Sequence, residues 1–138
     1  MAITMWSRRI RSGTKEYPNE EDLIRALLAK LVQRGADTSW AHFEVIAKGG
    51  WFSNLVSGGQ YYVEVMSHGA HELELNLGFD KPARAKLPAF PTGWKKIPGD
   101  LQYVLPVGDV DALAIWIVKA FESVAERENQ RITGWIEG

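Results

Sequence analysis

His68 and His71 stand three residues apart with Glu72 and Glu74 close behind, so metal binding is the first chemistry these residue types could perform. Zinc takes ligands that converge from several elements, or that lie four apart on one helix face. Here the two imidazoles flank a hairpin turn, where solvent surrounds them, and no metal is expected. Glu64, Glu72 and Glu74 could pair for acid–base work across neighbouring strands. Glutamates alternating with Val and Leu are also what the wet face of an antiparallel sheet looks like, and that is the stronger reading. There is no Gly-x-Ser-x-Gly elbow, and the three His residues offer no identified base for a Ser nucleophile. Gly49-Gly50 and Gly58-Gly59 lack the spacing and the following Lys of a phosphate-cradling loop, so they read as turn residues. Neither an enzyme nor a cofactor is expected.

The aromatic residues are more informative. Trp51, Phe52, Phe90 and Trp94 all fall in Gly- or Pro-rich connections. A large ring in such a place either folds back over the core as a lid or stands at a binding surface. These four are the candidate binding residues, and the surface they would build suits a protein or peptide better than a reacting substrate.

The elements that position them follow from hydrophobic period. After Pro18 a helix begins, with Asn19 as N-cap, Glu20, Glu21 and Asp22 in its first turn and Gly35 just past its end. Leu23, Leu27 and Leu31 form its stripe, widened by Ile24, Leu28 and Val32. From Trp40 to Ala47 apolar and polar residues alternate, as they do from Tyr61 to Met66 and from Glu72 to Leu77, which is the period of half-buried strands. Ser67-His68-Gly69-Ala70 joins the last two as a hairpin. Trp51 to Val56 reads as a loop or a short extra strand. Lys81 to Gly99 holds Pro82, Pro88, Pro91 and Pro98, which predicts a long irregular loop. Leu101 to Leu105 is then a short edge strand, placed at the edge by Pro106. A second helix is predicted from about Asp109 to Arg127, with Val110, Leu113, Ile117, Phe121 and Val124 on one face. Residues 128–138 form a tail whose Ile132, Trp135 and Ile136 dock in cis or on another subunit.

With 138 residues the chain is one domain, and 46% hydrophobic against 24% charged residues argue against disorder. Sixteen basic and seventeen acidic residues leave a net charge of -1, which gives no general attraction for nucleic acid. Arg8, Arg9, Arg11 and Lys15 make residues 1–17 a basic arm, too small in charge for a nucleic-acid footprint. Without Cys there is no disulfide and no thiolate ligand, and neither a signal peptide nor a membrane span is visible. These features lead to the expectation of a cytoplasmic protein.

Leu77-Gly78-Phe79 with Pro82 shortly after, the isolated Trp94, and Asp111-Ala112-Leu113-Ala114 opening the last helix give the chain a family likeness. Over roughly Leu23 to Ala125 it resembles small bacterial domains with the fold of type III secretion chaperones, the Tir-chaperone-like or sensory-transduction-regulator-like domains. In that family a short helix often precedes the Leu-Gly-aromatic element, whereas Leu73, Leu75 and Leu77 here alternate as a strand. The resemblance implies protein binding and a homodimer, and no catalytic residues. The expected fold is α+β, an antiparallel sheet of four or five strands packed on one face by the two amphipathic helices. The expected function is a non-enzymatic module that holds a peptide at a sheet edge or helix groove. The alternative is a small-molecule-binding domain with its pocket between sheet and helices, under the proline-rich loop.

Overall fold

The computed structural model describes residues 20–34, 39–47, 61–68, 71–98, 101–124 and 130–137. Helix α1 spans Glu20–Arg34, with Glu20, Glu21 and Asp22 at the positive end of its dipole and Arg34 in the last turn. Leu23, Ile24, Leu27, Leu28 and Leu31 are buried along it, a stripe wide enough for two neighbours. Its expected N-cap Asn19 and stop Gly35 lie outside the described residues.

Strands β1 (Trp40–Ala47), β2 (Tyr62–Ser67) and β3 (Glu72–Gly78) form where the period of two predicts them. The segment from Trp51 to Val56 lies outside the described residues, as do Gly69 and Ala70. The β2–β3 turn is closed by the His68 N–H, which donates to the Glu72 carbonyl at 2.9 Å. Helix α2 is one turn, Lys81–Arg84, followed by β4 (Lys95–Lys96) and β5 (Gln102–Pro106). A 3₁₀ turn at Val107–Asp109 leads into α3 (Val110–Val124), and β6 (Gln130–Glu137) comes last. The helix thus starts beside the expected position at about Asp109, and its expected end at Arg127 lies outside the described residues.

The sheet has six antiparallel strands in the order β4-β5-β3-β2-β1-β6, not four or five. Both added strands come from segments that read as irregular. β4 has only two residues, too few to show a period, and it forms by pairing Lys95 with Val104 and Lys96 with Tyr103. β6 is the supposed tail: Gly134 interrupts its alternation, but the whole of Gln130–Glu137 runs against Trp40–Ala47. The expected edge at β5 is corrected with them. Pro106 faces Glu72 of β3, and β4 stops at Val104, so the missing N–H of the proline has no second ladder to break. In the proline loop, α2 forms because Asp80 caps it, accepting from the Ala83 N–H at 3.0 Å, and Pro82 sits in the first turn, where a helix tolerates it.

Register decides which side chains share a face. Ala41, Phe43, Val63, Val65, Leu73, Leu75, Leu77 and Leu105 lie on one side and join the buried residues of α1 and α3 in a single apolar cluster. Phe43 and Phe121 are its largest fully buried members. At the surface Arg25 links the helices, with Nε 2.8 Å from Asp111 and Nη2 2.7 Å from Glu21. Among the described residues no helix is long and apolar enough to cross a membrane.

Candidate functional site

Of the four aromatic candidates, Trp51 and Phe52 lie outside the described residues. Phe90 and Trp94 turn inward from the proline loop. Phe90 stacks on Tyr103 of β5 at 4.1 Å and on Trp116 of α3 at 4.8 Å, and Trp94 meets Trp116 edge-on at 5.8 Å. Two indole N–H groups tie the arrangement down: Trp94 donates to Asp109 at 3.1 Å, and Trp116 donates to the Ala89 carbonyl at 3.2 Å. Trp94 keeps 9% of its surface exposed, so these rings hold the loop against α3 and β5. Leu75, Leu113, Ile117 and Phe121 are buried in the same apolar cluster as Trp94 and Trp116.

The opposite face of the sheet is polar. Register sets Trp135, His42, Glu64, Asn76 and Gln102 in one row across five strands. His42 is the focus: Nδ1 lies 3.0 Å from Glu64, Nε2 lies 3.3 Å from Glu44, and the ring is stacked by Trp135 at 4.5 Å and by Tyr62 at 5.5 Å. With a carboxylate at each nitrogen the favoured form is the imidazolium, and neither nitrogen is left to take a substrate proton. His68 is exposed and pairs with Glu74 at 3.2 Å, and Glu74 in turn accepts from Asn76 at 2.9 Å. His71 lies apart, its carbonyl accepting from the Val107 N–H. Among the described residues no three His, Cys, Asp or Glu side chains gather as metal ligands.

Burial pulls the pKa of His42 down, but hydrogen bonds to Glu44 and Glu64 and their charges outweigh it, leaving the pKa above 6.5. A raised folded-state pKa means the stabilisation is fully present below the unfolded value of about 6.5 and is lost as pH rises through the folded one. The stability advantage of the native chain over His42→Gln should therefore be greatest near pH 6 and shrink as pH rises beyond about 6.5. Urea titrations at several pH values read this directly, and a pH-independent difference would contradict the imidazolium assignment.

The two edges of the sheet differ. One is β4, two exposed lysines long. The other is β6, eight residues paired with β1 on its inner side only among the described residues. The Ile132 N–H donates to the Glu20 carboxylate of α1, which shows that Ile132 turns its backbone groups away from β1. Strand alternation turns Gly134 and Ile136 the same way. Sequence reading singles out Ile132, Trp135 and Ile136 in the tail but misses the edge they build. The available signal is their alternation through residue 136, and Gly134 masks it. Gly134 is needed where it stands, because a Cβ there would lie 2.4 Å from the buried ring of Phe43. Compared with models of protein families, with curated proteins and with solved structures, the chain finds no match.

Proposed function

We propose that this domain is a non-enzymatic interaction module that takes an extended polypeptide segment as an added strand along β6. The observation that carries this reading is the contrast between the edges. Folded proteins blunt sheet edges with short strands and lysines, because a row of unpaired N–H and C=O groups is a template for another chain. β4 carries both devices and β6 carries neither, apart from Glu20 at one position. Strand addition needs no catalytic group, and it draws affinity from main-chain hydrogen bonds and specificity from side chains at alternate positions. Ile132 and Ile136 on one side and Trp135 on the other supply those neighbours.

Hydrogen exchange followed by NMR tests the reading. In the free protein the amides of Gly134 and Ile136, which unlike that of Ile132 have no Glu20 carboxylate to bond, should exchange faster than those of the β1–β2 ladder. Eight-residue peptides with β-branched residues at alternate positions should slow them on binding. Protection of the Gly134 and Ile136 amides equal to that of Val63 in the free monomer would overturn it.

A further inference from the structure

We infer that His42 is a proton-operated latch on the last strand: its charged ring fastens β6 to β1, and loss of the proton loosens β6 while β1, β2 and β3 stay paired.

The position of His42 in the sheet carries this. β1 lies between β2 and β6, and His42 stands opposite Glu64 on one side and Trp135 on the other. Since the Ile132 N–H faces away from β1, the backbone N–H groups of Thr133 and Trp135 face it. Trp135 and His42 are thus a hydrogen-bonded pair of the ladder, and His42 and Glu64 are a pair of the other kind, whose side chains come closer. The side chains follow that geometry. Nδ1 reaches Glu64 at 3.0 Å, Nε2 reaches Glu44 at 3.3 Å, the Trp135 ring stacks on the imidazole at 4.5 Å with 29° between the planes, and Tyr62 stacks on it at 5.5 Å. Trp135 is the described side chain by which β6 joins this cluster, and the imidazole is the surface it covers.

Charged, the ring donates from both nitrogens to two carboxylates and presents a cation to two aromatic faces, each within the roughly 6 Å over which a ring attracts one. Neutral, it keeps one N–H. The carboxylate at the bare nitrogen then meets a lone pair, Glu44 and Glu64 lose the positive charge between them, and Trp135 loses the cation beneath it. The surroundings supply no replacement: the row Trp135, His42, Glu64, Asn76 and Gln102 contains no Lys or Arg, and Glu74 on β3 is already paired with His68. Along β6 the register sets Thr133 opposite Glu44 and Glu137 opposite Trp40. Burial opposes the charge on the ring, but the bonds to Glu44 and Glu64 prevail, so the proton leaves only above pH 6.5. Where β6 takes an added segment, that binding is strongest below the pH at which His42 loses its proton; the latch itself holds or fails without any such segment.

Hydrogen exchange followed by NMR on the full chain, between about pH 6 and about pH 9, tests the latch, with each amide's protection corrected for the pH dependence of its intrinsic rate. In the native chain the protection of Thr133 and Trp135, taken relative to that of Leu75 in β3, should fall about tenfold over this range, the effect of one good cation–π contact. His42→Arg keeps a permanent charge with donors for both carboxylates, so the ratio should stay high throughout. His42→Gln has no charge, and the ratio should stay low throughout. Trp135→Leu should make the ratio independent of pH while global stability keeps the pH dependence that Glu44 and Glu64 give it. A native ratio that stays constant while the His42 ring titrates in the same spectra would overturn the latch. So would a pH-dependent ratio in Trp135→Leu, loss of β6 protection in His42→Arg at the native pH, or protection falling equally in β3 and β6.

Discussion

Gly134→Ala is expected to cost about 3 kcal/mol, more than any other glycine substitution among the described residues, because overpacking a well-filled core is expensive. The new Cβ would stand 2.4 Å and 2.9 Å from two ring carbons of Phe43 and 3.0 Å from the His42 carbonyl. Phe43 is fully buried, so its ring has nowhere to turn, and the strand cannot retreat without breaking the β1–β6 ladder. Gly78→Ala is the control. There the Cβ would fall 2.0 Å from the ring of Tyr62, a closer approach, but Tyr62 is 37% exposed and can swing outward. Its cost should stay below about 1 kcal/mol, as for surface changes generally. Urea denaturation measures both. Phe43→Leu in the Gly134→Ala background should return part of the loss, because the shorter side chain vacates the contested space and neighbouring sites are not additive. Equal costs at the two glycines would show that burial of the ring is not what decides.

Trp116→Ala should remove about 4 kcal/mol, within the range for truncating a large buried aromatic. Trp116 is 4% exposed and is the pivot on which Phe90, Trp94 and the Ala89 carbonyl converge. Its loss should therefore also be local: the amides of residues 87–94 should exchange faster than those of β2 and β3 in the same sample. Trp116→Phe keeps most of the stacking and drops only the indole N–H, so it should cost about 1 kcal/mol beyond the lost ring area. A loop that stays protected in Trp116→Ala would mean that Trp94 and its bond to Asp109 suffice to hold it.

Much of the framework is legible in the sequence because it is written locally. The stripe from Leu23 to Leu31 and the alternation in β1, β2 and β3 need no knowledge of distant residues. What is not legible is set by pairing across distance. Lys95 and Lys96 become a strand only because Tyr103 and Val104 lie beside them. Gly134 reads as a break in a tail until Phe43 is seen to fill the space above it. His42 reads as one polar residue of an amphipathic strand. Its partners Glu64, Tyr62 and Trp135 arrive from two other strands whose register depends on the whole sheet. The loop aromatics Phe90 and Trp94 stand out by residue type alone, but their orientation depends on Trp116, which belongs to a helix face and carries no mark of that role.

The β1–β6 ladder joins Ala47 to Gln130 at its far end, a long separation along the chain. β1, β2 and β3 precede β6 by more than 50 residues in the chain and can assemble before it is available, which leaves the outer margin of β1 open for the seconds it takes to make α3 and β6. Two nascent copies held near one another could then exchange this late strand, each completing the other's sheet. The step that finishes the fold is therefore also the one most sensitive to crowding on the ribosome, and slowing translation before residue 130 should raise the yield of intertwined or aggregated product.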